Sequence, residues 1–319
     1  MAIQLLILVL GLALIVFGAD WLVDGASSIA RKAGISEFVI GLTIVGFGTS
    51  CPELVVSLTG AIAGSSDISA GNVIGSNIFN TLLILGLTAV ISPIAVTREN
   101  KRRDIPMTIG VTVLFILCSM SVTLFGLGRY DGISRIEGAL FLLLFAFYIY
   151  SCFKTGSSPA SADADAKNLN LAAAIALVAA GLGGLIVGGK LFVSAATEIA
   201  RMAGISEKFI AVTILAGGTS LPELATCVVA AIKKKGQLAL GNILGSNVFN
   251  ILLVLGCSAV VHPLQFSGIN LIDAGVLMLS ALLVFTGTYT GKKGVLDRFD
   301  GSLMLMLEAA YMTWLIINL

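Results

Sequence analysis

Two stretches of this chain could do chemistry, and they are near copies of each other. Gly46-Phe47-Gly48-Thr49-Ser50-Cys51-Pro52-Glu53 recurs as Ala216-Gly217-Gly218-Thr219-Ser220-Leu221-Pro222-Glu223. Each places two hydroxyls, a helix breaker and a carboxyl inside a long apolar run. A carboxylate in such a place costs about 3 kcal/mol on insertion scales, so its presence twice argues for a function. Proline removes one helical hydrogen bond and clashes with the carbonyl four residues back. Pro52 therefore frees the Gly48 carbonyl, and Pro222 that of Gly218. Unwound backbone at membrane depth is tolerated only against protein or a wet cavity. On helical spacing Thr49 and Ser50 share a face with Glu53, and Thr219 and Ser220 share one with Glu223.

A second motif is also duplicated. Gly-Asn-x-x-Gly-Ser-Asn-x-Phe-Asn occupies 71–80 and again 241–250. It sets Ser76 with Asn80, and Ser246 with Asn250, at i, i+4. Gly71 and Gly75, like Gly241 and Gly245, have the spacing that lets helices approach closely. Each glycine–asparagine helix is expected to pack beside its own broken helix and complete a cage. The donors on offer are carboxylate, hydroxyl, amide and backbone carbonyl oxygens, without a thiolate–histidine cluster. Such a set suits Ca²⁺ or Na⁺, not zinc or copper. Two carboxylates roughly neutralise one Ca²⁺ or two Na⁺. With the site empty they repel, and at least one tends to take a proton, so proton competition is expected.

The elements that position these residues follow from composition. The chain has 319 residues, 57% hydrophobic and only 12% charged. Soluble domains carry about a quarter charged residues, so the reading is an all-α integral membrane protein. The net charge of +1 gives no reason to invoke nucleic acid, and no enzyme motif such as His-Glu-x-x-His is present. The five cysteines lack metal or redox spacing and read as small core residues. At about 20 apolar residues per span, about ten spans lie near 3–30, 37–63, 68–92, 104–126, 134–153, 171–200, 207–232, 238–261, 270–289 and 299–318. Residues 154–169 are polar and of low complexity, the composition of a flexible linker. They divide a first five-helix unit, 1–153, from a second, 170–319.

Shifting the sequence by 170 residues aligns Gly34–Pro93 with Gly204–Pro263 without a gap, with about half of the positions identical. Five spans per copy invert the second copy in the membrane. The charges agree. With the N-terminus outside, 14 of the 19 Lys and Arg fall on inner loops and 4 on outer loops, with Lys190 inside a span. The positive-inside rule then puts both termini outside and the linker in the cytoplasm. Inverted repeats with broken helices at a midplane ion site are the pattern of secondary transporters.

These paired motifs resemble the two alpha-repeats of the sodium/calcium exchanger family, of prokaryotic type, within the cation/Ca²⁺ exchanger superfamily. The resemblance covers the whole ten-helix plan. It implies an antiporter of the plasma (inner) membrane, with no cofactor and no protein partner, that exchanges several Na⁺ for one Ca²⁺ electrogenically by alternating access. It implies Glu53 and Glu223 as central Ca²⁺ ligands. Thr49, Ser50, Ser76, Thr219, Ser220 and Ser246 would line flanking Na⁺ sites, and the carbonyls of Gly46 and Ala216 would face ions. Some members have aspartate where this chain has Asn250, and the matching Asn80 is also neutral, which leaves two acidic residues at the centre. H⁺/Ca²⁺ exchange is the alternative that the protonatable glutamates suggest.

Blander roles are expected elsewhere. Asn72, Asn77, Asn242 and Asn247 read as interhelical glue, and Ser36 and Ser206 as N-caps. Asp20, Asp24, Lys190 and Glu198 read as interfacial. The helices near 3–30 and 171–200 are expected to form a mobile pair sliding on the other eight, their glycines (Gly11, Gly18 and Gly25; Gly181, Gly183, Gly184, Gly188 and Gly189) giving a smooth, shallow contact.

Overall fold

A computed structural model describes residues 1–126, 130–155, 169–204, 216–267 and 270–318. The chain is an all-α integral membrane protein of ten spans in two inverted repeats, with a broken helix at each acidic motif. Helix α1 (Ala2–Ala33) stops at Gly34, whose φ of 65° only glycine adopts easily. The first broken span is α2 (Glu37–Thr49) followed by α3 (Cys51–Ile62), bent by 46°. Next come α4 (Ser66–Ile91), α5 (Ile105–Ser119) with the short α6 (Ser121–Phe125), and α7 (Arg135–Thr155). The second copy runs α8 (Leu171–Met202), α9 (Ala216–Gly218), α10 (Leu221–Ile232), α11 (Gly236–Val261), α12 (Leu271–Gly287) and α13 (Arg298–Ile317).

Residues 205–215, and with them Ser206 and the first limb of the second broken span, lie outside the described residues. So does nearly all of the 154–169 linker. Ser36 caps α2 as expected, its hydroxyl accepting from the Val39 N–H at 3.3 Å. A capping box of Asp297 and Asp300 starts α13.

The two repeats are laced together at both ends. Strand β1 (Ile94–Ala95) pairs antiparallel with β4 (Val295–Leu296), and β2 (Gly132–Ile133) with β3 (Leu264–Gln265). Each two-residue ribbon joins one half to the other.

Helices α1 and α8 cross antiparallel along a glycine seam. A Cβ at Gly18 would stand 2.8 Å from the Gly181 carbonyl, and one at Gly188 would stand 2.8 Å from the Gly11 carbonyl. Gly25 meets the Ala174 carbonyl in the same way, at 2.8 Å. Backbones this close pack by van der Waals contact, which is what holds helices together in lipid. The seam corrects one expectation. These glycines bind the two long helices to each other; they do not smooth the pair's contact with the other eight.

The pair touches the rest through larger side chains. Leu182 sits over Gly48 and Val193 over Gly218. Lys233, at the end of α10, reaches Asp20 at 2.7 Å and Asp24 at 2.5 Å on α1. Glu198 pairs instead with Arg201 on its own helix, at 2.7 Å.

Candidate ion-binding site

Both glutamates stand in the first turn of a half-helix. In the first copy α2 ends at Thr49, Ser50 leaves the helical region (φ −83°, ψ 5°), and α3 restarts at Cys51 with Pro52 in its first turn. Ser220 (φ −89°, ψ 7°) and Pro222 repeat the break before α10. Proline fits at a first helical turn because its missing N–H would be unpaired there anyway. The result points each carboxylate-bearing turn toward the site with the positive end of a helix dipole behind it. Glu53 and Glu223 are completely buried.

The hydroxyls cross between the halves. Ser50 Oγ donates to Glu223 Oε1 at 3.1 Å, and Ser220 Oγ donates to Glu53 Oε1 at 3.3 Å. Helical spacing predicts that each serine shares a face with its own glutamate. The prediction fails because the chain leaves the helix at the serine itself. Ser76 and Ser246 do serve their own copies, donating to Glu53 Oε1 at 3.5 Å and Glu223 Oε1 at 3.4 Å. Each carboxylate thus takes one hydroxyl from either half. Thr49 Oγ1 lies 3.1 Å from the Val45 carbonyl and 3.2 Å from Asn242 Oδ1.

The second oxygens are left over. Glu53 Oε2, Glu223 Oε2, Asn80 Oδ1 and Asn250 Oδ1 are buried without a hydrogen-bond partner. The Thr219 hydroxyl is buried beside the Glu53 carboxyl without a hydrogen bond of ordinary geometry. A buried acceptor lacking its donor costs about 1–3 kcal/mol, and more when charged. Four such acceptor oxygens make a donor set for a hard cation. Among the described residues no group of three or more His, Cys, Asp or Glu could hold a metal, so the set is two carboxylates with neutral oxygens.

The asparagines explain why the amide oxygens are spare. Asn80 Nδ2 donates to Asn247 Oδ1 at 3.2 Å, and Asn250 Nδ2 donates to Asn77 Oδ1 at 3.0 Å. Asn77 Nδ2 donates to the Asn247 carbonyl at 3.2 Å, and Asn247 Nδ2 to Thr81 Oγ1 at 2.8 Å. This lattice ties α4 to α11 across the two repeats and uses the amide nitrogens. Asn72 Nδ2 donates to the Glu53 carbonyl and to Ser57 Oγ, and Asn242 Nδ2 to Cys227 Sγ. The glue roles expected for Asn72, Asn77, Asn242 and Asn247 are therefore seen as contacts.

One further expectation needs adjusting. Each glycine–asparagine helix does lie beside its own half-helix, α4 on α3 and α11 on α10, but the glycines of the second copy face the opposite repeat. A Cβ at Gly241 would meet the Phe38 carbonyl at 2.2 Å, and one at Gly245 the Leu42 carbonyl at 2.5 Å, both in the other repeat. Asn72 and Asn242 turn to their own half, Asn77, Asn80, Asn247 and Asn250 reach across to the other copy, and Gly241 and Gly245 pack on the opposite repeat. The Gly46 carbonyl already accepts the Ser50 N–H at 3.1 Å. Ala216 opens α9 at the edge of the described residues. Sequence reasoning passed over the π-helical turns at Gly41–Val45, Asn80–Leu85 and Phe249–Val254. Their only trace in the sequence is that each abuts one of the duplicated motifs. It also passed over the buried Glu308, a lone acid in an apolar span.

A family model described as sodium/calcium exchanger protein matches residues 3–154 and 173–317. The chain belongs to this family. The exchanger is 38% identical to the "Putative antiporter CaxA" of Alkalimonas amylolytica, over 98% of each chain. It is 33% identical to "Sodium/calcium exchanger MaX1" of Methanosarcina acetivorans, over 97% of each. A solved structure of the sodium-calcium exchanger NCX_Mj, soaked with 10 mM Na⁺ and zero Ca²⁺, superposes with a TM-score of 0.85 at 34% identity, covering 98% of this chain and 99% of that one. The exchanger is accordingly a multi-span membrane transporter of cations and Ca²⁺.

Proposed function

We propose that the exchanger moves several Na⁺ against one Ca²⁺ electrogenically, with Glu53 and Glu223 as the central Ca²⁺ ligands. The observation that carries this reading is the set of buried, donorless oxygens contributed equally by the two halves. Thr49, Ser50, Ser76, Thr219, Ser220 and Ser246 ring the carboxylates and would take Na⁺, with Asn80 and Asn250 supplying amide oxygens. Gly46 and Ala216 would add carbonyls. Two carboxylates balance one Ca²⁺; sodium ions can share the same charge, so the two cargoes compete and cannot cross together. That competition is the physical basis of exchange. The relatives named as exchangers support the same ion pair.

Alternating access would come from α1 and α8 moving as one body. The glycine seam holds them together, and Leu182 and Val193 place α8 over the two helix breaks. The five-helix units would be 1–153 and 170–319, joined by a flexible cytoplasmic linker at 154–169, with both termini outside the inner membrane. Uptake of ⁴⁵Ca²⁺ into vesicles tests the coupling. An outward Na⁺ gradient at fixed pH should drive uptake, and reversing the membrane potential should change its rate. Uptake that follows an imposed pH gradient and ignores Na⁺ would instead make the protein a proton-coupled antiporter.

A further inference from the structure

A second acid is buried in the membrane-spanning region, away from the glutamate pair. Glu308 lies near the middle of α13, only 3% exposed, and its Oε2 has no hydrogen-bond partner. One turn on, Tyr311 shares its helical face. The Tyr311 hydroxyl donates to Asp273 Oδ1 at 2.8 Å. Asp273 is only partly buried and sits in the first turn of α12, at the end of the span. The three residues thus step from the end of a span to its interior. All three line a cavity of about 1100 Å³ that Ser76 and Asn72 also line.

The elements packed on α13 leave the acid without a counter-charge. The neighbouring part of α4, Asn80–Ile91, carries no ionisable group, and α12 carries Asp273 alone. Across the cavity lie Asp67 on α4 and Lys190, Glu198 and Arg201 on α8. Glu198 and Arg201 pair with each other. A cation cage needs several converging oxygens. Here the Tyr311 hydroxyl is already engaged with Asp273. A proton needs only one oxygen.

We propose that Glu308 is a proton-binding site distinct from the central pair, exchanging its proton with the aqueous face through Tyr311 and Asp273 and setting by its charge how strongly the cavity attracts cations. Loss of the proton places a negative charge on the cavity wall, and such a charge concentrates cations near it. The transport part of this proposal rests on the exchange reading above.

Infrared difference spectroscopy on the lipid-embedded protein in saturating Ca²⁺ tests the site without any flux. Bound Ca²⁺ keeps the central glutamates as carboxylates, and a protonated-carboxyl stretch that persists near neutral pH is assigned to Glu308 by its loss on substitution. It should vanish in Glu308→Gln and return at a shifted position in Glu308→Asp. Tyr311→Phe should keep the band and slow its deuterium shift severalfold. A band unchanged in Glu308→Gln, or no such band in the wild type, would overturn the site. In vesicles, the KM for Ca²⁺ should fall with rising pH severalfold more in wild type than in Glu308→Gln. Equal pH dependence in the two would overturn the link to transport.

Discussion

Replacing Glu53 by Gln removes one of the site's two carboxylates and little else. The amide keeps an oxygen in place of Oε1, so Ser76 and Ser220 retain an acceptor. The fold should therefore survive. The ion loses half of its compensating charge. Breaking a buried charge pair by removing one partner costs about 3–5 kcal/mol. At 1.4 kcal/mol per factor of ten, that is about two to four orders of magnitude in Ca²⁺ affinity. Glu223 holds the same environment in the opposite copy, with Ser50 and Ser246 as its donors. Glu223→Gln should thus cost as much as Glu53→Gln, within a small factor. Calorimetric titration of purified protein with Ca²⁺, beside ⁴⁵Ca²⁺ uptake driven by Na⁺, measures both effects. Wild-type melting with abolished binding and uptake is the expected result. Binding within tenfold of wild type in either variant would refute the reasoning.

Three further outcomes follow from other contacts. Ser50→Ala removes the donor to Glu223 that comes from the other repeat; a hydrogen bond to a charged group is worth about 1.5–3 kcal/mol, so Ca²⁺ affinity should drop at least about tenfold by titration. Gly18→Leu forces a side chain into the α1–α8 seam; overpacking of this kind costs about 1–3 kcal/mol and should lower the melting temperature. Tethering α1 to α10 with a short bis-maleimide across cysteines at Asp24 and Lys233, which already meet in a part-buried ion pair, should stop exchange. Undiminished flux in the tethered protein would rule out motion of that helix pair.

The broken helices were legible because Pro52 and Pro222 interrupt apolar runs, and the two halves because their motifs repeat at one spacing. The fold class needed nothing more than composition and periodicity. The crossing of the serines was not legible. It depends on the backbone at Ser50 and Ser220 leaving helical angles by one residue, which propensity does not encode. The direction of the glycine faces was hidden for a related reason. Gly241 and Gly245 announce close approach but not the partner, and the partner is Phe38–Leu42 of the opposite repeat. Lys233 with Asp20 and Asp24 joins residues more than 200 positions apart, and no local pattern signals such a pair. Glu308 carried a signal that an intramembrane acid always carries, but it lacked a duplicate to draw attention to it.

The place of the ion between the two copies is open to direct measurement. Crystals of the protein soaked in Sr²⁺ or Ca²⁺ should give an anomalous difference peak about 2.3–2.6 Å from carboxylate oxygens of both Glu53 and Glu223, the distance at which oxygen ligates Ca²⁺. A peak bound to one glutamate alone, or to neither, would contradict the shared site.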